Sequence, residues 1–193
     1  MEYSKNGLLV FVSGPSGVGK STVCNRLATD LPAQFALSAT TRQGKPQDRW
    51  GKPYIFVNGD EFKKRIANNE FLEYAKVFGH WYGTLRQPVL EALADGRTVL
   101  LEIDIQGGIQ IAKMFPAALG VFILPPSEEE LMRRLRERGR DDPAVIENRI
   151  RQAQQEMAVA EQCGAYRIKV VNRVLDQTIT ELIGFVKTMQ QRA

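Results

Sequence analysis

The run Gly14-Pro15-Ser16-Gly17-Val18-Gly19-Lys20-Ser21, continued by Thr22, fits the pattern G-x-x-x-x-G-K-[ST], a loop whose backbone N–H groups cradle nucleotide phosphates. Its flanks suit that chemistry. Residues 8–12 form a short apolar run of buried-strand type, and residues 21–30 read as a helix. A glycine-rich loop between a strand and a helix N-terminus is an anion site, because its N–H groups point inward and the helix dipole adds partial positive charge. Lys20 would reach the β- and γ-phosphates, and the Ser21 hydroxyl would hold Mg²⁺. A glycine turn that merely links strand to helix is the plainer account, but it does not explain a full match in the right flanks.

The elements around this loop alternate. Apolar strand-like runs at 98–104 and 121–124 are separated by helical stretches, the pattern of a parallel sheet with flanking helices. Extended segments are expected at 54–57, 71–77 and 166–171, and helices at 60–68 and 175–190. Thr84-Leu85-Arg86-Gln87 and Ser127-Glu128-Glu129-Glu130 match capping boxes, so helices are expected to open there. Asp142-Pro143 reads as an N-cap and first helical residue. The two helices spanning 127–162 are rich in charge and read as a solvated flap. Segment 38–84 departs from plain strand–helix alternation and suggests an inserted subdomain.

Farther along, the sequence becomes more specific. Ser38-Ala39-Thr40-Thr41-Arg42, then Lys45, Asp48, Gly51, Tyr54 and Phe56, resembles the signature of the guanylate kinases. So do Phe71-Leu72-Glu73-Tyr74-Ala75, Tyr82-Gly83-Thr84 and Leu101-Glu102-Ile103-Asp104 with Gln106-Gly107. The resemblance runs from Gly7 to the last helix. It implies an α/β fold with a phosphate-loop parallel-sheet core, an inserted GMP-binding subdomain and a helical lid. The expected division is core at 1–37, 85–126 and 164–193, GMP-binding insert at 38–84 and lid at 127–163. The implied reaction is ATP + GMP giving ADP + GDP with Mg²⁺, and dGMP is an expected second acceptor.

The residue types fit those implied roles. The GMP phosphate carries about −1.5 to −2 charge near neutral pH. Arg42, Lys45, Tyr54 and Tyr82 supply cations and hydroxyls for it, and Arg42 has a fork that grips two oxygens. Guanine offers N–H donors and the O6 acceptor. Carboxylates at Glu73 and Asp104 would take the donors, and hydroxyls at Ser38 and Thr84 would assist. Asp104 also stands where a magnesium-supporting carboxylate would stand. Arg138 and Arg149 match lid arginines that close on the transferring phosphoryl group, and Arg134 is a candidate to join them; Arg133 and Arg136 read as a solvated face paired with glutamates. His80, the only histidine, receives no role, and Trp81 reads as packing. Lys45 and Asp48 replace the arginine and glutamate common in the family, which keeps charge but loses the bidentate fork and one methylene.

Composition sets outer bounds. The chain has 193 residues, 44% of them hydrophobic and 25% charged, an ordinary globular mixture. The net charge of +4 comes without an aromatic–basic stripe, so nucleic acid is not an expected partner. Cys24 and Cys163 lie far apart with no metal spacing, and no segment reads as a signal peptide or membrane span. A cytoplasmic monomer or homodimer without membrane contact is expected. Some guanylate-kinase-like scaffold domains bind phosphopeptides and have degraded phosphate loops; the intact loop here argues against that alternative. A kinase for another nucleoside monophosphate would not explain Ser38, Glu73 and Asp104 together.

Overall fold

The computed structural model describes residues 7–44, 52–137 and 142–191. Of the expected site residues, Lys45, Asp48 and Arg138 lie outside the described residues. Strand β1 (Leu9–Ser13) is buried along its whole length. Its run of apolar residues faces helices on both sides, as parallel strands do. Leu9 and Phe11 pack on one face of the sheet, Val10 and Val12 on the other. With β2 (Ala33–Phe35), β7 (Thr98–Glu102), β8 (Leu119–Leu124) and β9 (Ile168–Val171) it forms a sheet in the order β2-β7-β1-β8-β9. Every pairing in it is parallel. Helices α1 (Lys20–Asp30) and α7 (Leu175–Gln190) cover one face, through Val23, Leu27, Ile179 and Leu182. On the other face lie α3 (Arg86–Ala94), α4 (Ile105–Met114) and the long α6 (Pro143–Gln162), through Val89, Ile111 and Ala160.

A second sheet comes from the insert. Its strands are β3 (Ser38–Thr40), β4 (Tyr54–Phe56), β5 (Phe71–Val77) and β6 (His80–Leu85), in the order β4-β3-β6-β5. Helix α2 (Gly59–Ala67) starts at Asn58, whose side chain accepts from the Glu61 N–H. It packs fully buried Phe62 against Phe71 and Trp81, with ring centroids 4.5 and 5.8 Å apart. Trp81 is therefore a packing residue, as expected. Among the described residues no helix is long and apolar enough to cross a membrane.

Three sequence-based expectations need correction. Thr84 does not cap a helix: it lies within strand β6, Leu85 is the N-cap of α3, and the Thr84 hydroxyl is taken up by Glu73. Segment 105–114, which carried no expected element, is α4, opened by Asp104 accepting from the Gly107 N–H at 2.9 Å. The pair α5 (Glu128–Glu137) and α6 is not a fully solvated flap, since Leu131, Leu135, Ile146, Ile150 and Ala153 form a small core of their own. Ser127 does act as expected, its hydroxyl accepting from the Glu130 N–H at 3.2 Å. Arg133 lies on the solvated face with Glu130 and Glu137, also as expected.

Candidate active site

The phosphate loop leaves the C-terminal end of β1 and enters α1 at Gly19. There φ is 99°, in the left-handed region, and a Cβ would lie 2.7 Å from Asn172 Nδ2. Glycine meets both demands, because it alone tolerates this φ without steric cost and leaves room for the asparagine. The loop is tied from outside: Asn172 Nδ2 donates to the Val18 carbonyl at 2.9 Å, and Arg134 donates to the same carbonyl at 3.3 Å and to that of Asn172 at 3.1 Å. Arg134 therefore braces the loop backbone and also pairs with Glu130. The Val18 side chain is core, not cavity wall. Lys20 Nζ donates to the carbonyls of Pro15, at 2.9 Å, and of Gly14. Thr22 is exposed.

A cavity of about 250 Å³ opens beside this loop. The loop contributes Gly14, Ser16, Gly17, Gly19, Lys20 and Ser21 to it. The second sheet contributes Ser38, Tyr54, Glu73 and Tyr82, and the end of β7 contributes Glu102, Ile103 and Asp104. Strand register places the key polar groups: Ser38 pairs with Thr84 across β3–β6, and Thr84 pairs with Glu73 across β6–β5. They form one row across the sheet. Glu73 Oε1 accepts from the Thr84 N–H at 3.1 Å and its hydroxyl at 2.6 Å. Glu73 Oε2 lies against the start of α4, where a Cβ on Gly107 would come within 2.3 Å of it. Glycine at 107 is what lets the carboxylate approach that helix N-terminus. The Ser38 hydroxyl is buried and has no hydrogen-bond partner among the described residues.

Burial dominates the electrostatics. It pushes the carboxyl groups of Glu73, Asp104 and Glu156 above the usual carboxylate range. Hydrogen bonds from Thr84 to Glu73 and from Gly107 to Asp104, and the Lys20 charge near Glu156, pull the other way without cancelling it. Burial also opposes the charge on Lys52, but Tyr54, Glu102 and Glu73 outweigh it and hold this ammonium above the ordinary lysine value. Lys52 Nζ donates to the Glu102 carbonyl at 2.6 Å and sits 5.0 Å from the Tyr54 ring centre.

Arg42 does not line the cavity. Its guanidinium stands 5.1 Å from the Tyr54 ring centre and 5.5 Å from that of Phe56, and it works against the burial that raises the Tyr82 hydroxyl pKa. It is thus joined to the wall through two residues that do line it. Arg149, on α6, donates from Nη1 to the Ser16 hydroxyl at 2.8 Å, which places it on the phosphate loop.

Four residues of the site received no role from the sequence. Glu102, at the end of β7, accepts from the Ser21 hydroxyl at 2.6 Å, so it, and not Asp104, is the carboxylate beside that serine. Lys52, Phe78 and Glu156 also line the cavity. Glu102 was within reach of sequence reasoning, as the acidic end of a buried strand; the others depend on tertiary contacts.

Parallel order, a phosphate loop after the central strand and a second sheet sharing its cavity define a nucleotide-binding protein of the phosphate-loop class. Comparisons narrow this. The family model described as "Guanylate kinase" matches residues 6–189. A guanylate kinase of Carboxydothermus hydrogenoformans is 45% identical over 177 residues, 91% of this chain and 85% of that relative. One of Synechococcus elongatus is 45% identical over 177 residues, 91% of this chain and 95% of that relative. The crystal structure of a guanylate kinase from Anaplasma phagocytophilum superposes with a TM-score of 0.78 at 30% identity, covering 97% of this chain and 88% of that one. The chain belongs to the guanylate kinase family. It is an ATP-dependent kinase that phosphorylates GMP to GDP.

Proposed function

We propose that the row Ser38, Thr84 and Glu73 reads guanine, and that the phosphate loop holds ATP at the other end of the same cavity. The single observation that carries this reading is the Ser38 hydroxyl. A buried polar group left without a partner costs about 1–3 kcal/mol, and this one lines a cavity together with a carboxylate. Guanine resolves both, giving the hydroxyl a partner at O6 and the Glu73 and Asp104 carboxylates the ring N–H donors. Adenine sets an amino group where O6 belongs and leaves these groups mismatched.

Phosphoryl transfer asks for alignment and charge neutralisation and little covalent work. The GMP phosphate oxygen is itself the nucleophile. Arg42, Lys45, Tyr54 and Tyr82 hold that phosphate, and Asp48 is assigned to the same GMP-binding set. Lys20 and the loop N–H groups hold the β- and γ-phosphates of ATP, and Arg149 and Arg138 complete the cation set on closure. Ser21 hydroxyl oxygen, with the Glu102 carboxylate hydrogen-bonded behind it, is an oxygen donor set of the kind Mg²⁺ takes. Among the described residues no cluster of three or more metal-ligating side chains occurs, which suits an ion that keeps its waters and binds chiefly through substrate phosphates. When bound there, Mg²⁺ neutralises and polarises phosphate oxygens. The GMP-binding insert is assigned to 38–84, the lid to 127–163, and the enzyme to the cytoplasm.

A coupled assay across GMP, dGMP, AMP, CMP and UMP tests this. ADP release is expected only with the guanine acceptors and only with Mg²⁺. Equal turnover with the other monophosphates overturns the guanine assignment. Arg42→Ala is expected to raise the KM for GMP by roughly tenfold to a hundredfold, since a bidentate charge-assisted pair is lost. An unchanged KM removes Arg42 from the phosphate site.

A further inference from the structure

On the reading of Arg149 just given, we propose that Phe78, at the tip of the β5–β6 hairpin, is a positioning residue: its ring holds the Arg149 guanidinium over the phosphate loop. The arginine belongs to α6, the ring to the inserted sheet and the Ser16 hydroxyl to the core. One guanidinium therefore joins all three parts around the cavity.

The hairpin itself points to this. Val77 pairs with His80, so Phe78 and Gly79 are the two loop residues, with φ of 48° and 83°. A two-residue turn with both centres at positive φ is the type I′ geometry, which favours asparagine followed by glycine. A bulky side chain at positive φ is an outlier, and such strain persists where the surroundings hold it in place. Solvation does not explain the choice either, because the ring is 50% exposed. What the ring does contact is Arg149, whose Cζ lies 4.6 Å from the ring centre while Nη1 donates to Ser16 at 2.8 Å. Phe78 also borders the cavity. Phenylalanine is a poor residue for this turn and a good one for a guanidinium, which stacks on aromatic faces. With the hairpin over the loop the ring packs on the arginine, so on this proposal closure of the GMP side helps to place a phosphate-directed cation.

The test measures kcat, both KM values and melting temperature in full-length protein. Phe78→Asn is expected to melt slightly higher than the parent, because asparagine suits the turn, and yet to lose about tenfold in kcat with both KM values within about twofold. Phe78→Tyr, which keeps the ring, is expected to keep the rate. In an Arg149→Ala background, Phe78→Ala is expected to cost nothing further. Multiplied losses in the double variant, or an unimpaired Phe78→Ala alongside a slowed Arg149→Ala, overturn the positioning role and leave the reading of Arg149 intact. A fall in kcat that merely tracks a lower melting temperature also overturns the positioning role. Full activity in Arg149→Ala overturns that reading and this role together.

Discussion

Lys20→Met is expected to lower kcat by about 10³-fold or more without unfolding the protein. The reason is the placement of charge. On the proposed reading two polyanions meet in the cavity that also holds Glu102, Asp104 and Glu156, and Lys20 is the cation that the phosphate loop itself brings there. Methionine keeps an unbranched stem as far as Cε and removes the charged nitrogen, so the loss is electrostatic and not a loss of packing. Lys20 Nζ already hydrogen-bonds to the loop carbonyls of Gly14 and Pro15, which keeps it beside the site before nucleotide arrives. Phosphates then offer a better partner, because the bonds become charge-assisted on both sides. The fold does not depend on this side chain. The loop is anchored separately by Asn172 and Arg134 at Val18, and α1 packs through Val23, Cys24 and Leu27. Melting within a few degrees of the parent, together with a coupled assay near background, is the expected pair of results. A variant that keeps a tenth of the parental kcat contradicts the role given to Lys20.

A phosphate loop is legible because its function is carried by contiguous backbone, and glycine spacing alone constrains that backbone. Ser38, Glu73 and Thr84 are legible only through family resemblance, since nothing local places them in one row; strand register does that. Thr84 illustrates the failure of local rules. Its spacing from Gln87 suggests a capping box, but a buried carboxylate competes for the same hydroxyl and wins. Helix α4 escapes notice because Gly107 and Gly108 stand in its first turn, and glycine has low helix propensity. Their smallness serves tertiary approach instead, to Glu73 at Gly107 and to Tyr166 at Gly108. In α5 the apolar positions are outnumbered by charges, and the burial of the apolar positions of α5 and α6 follows from the two helices meeting each other. Lys52 and Phe78 are ordinary loop residues until the second sheet brings them to the cavity.

Glu73→Gln is expected to lower kcat/KM for GMP by about 10²–10⁴ and to collapse the preference for guanine over adenine. One oxygen of this carboxylate is committed to Thr84, and on the proposed reading the other accepts from guanine. Oε1 takes two bonds from Thr84, and Oε2 lies at the start of α4 and borders the cavity. An amide in this place keeps one oxygen for Thr84 and presents an NH₂ to the guanine N–H groups, donor against donor. Folding is not the cause of the loss. Burying the Glu73 charge raises its pKa, which disfavours the folded state at neutral pH, and the neutral amide removes that penalty. The same shift predicts a pH dependence. On the proposed reading Glu73 must be ionised to accept from guanine, and burial raises its pKa above the ordinary glutamate value, so protonation begins at a higher pH than for an exposed glutamate. As pH falls, kcat/KM for GMP is therefore expected to decline earlier than exposed carboxylates would dictate, with Asp104, raised in the same direction and assigned to the same guanine donors, adding to the limb. In Glu73→Gln the share of that limb due to Glu73 disappears. A variant that still prefers GMP to AMP by the parental ratio shows that the base is read elsewhere.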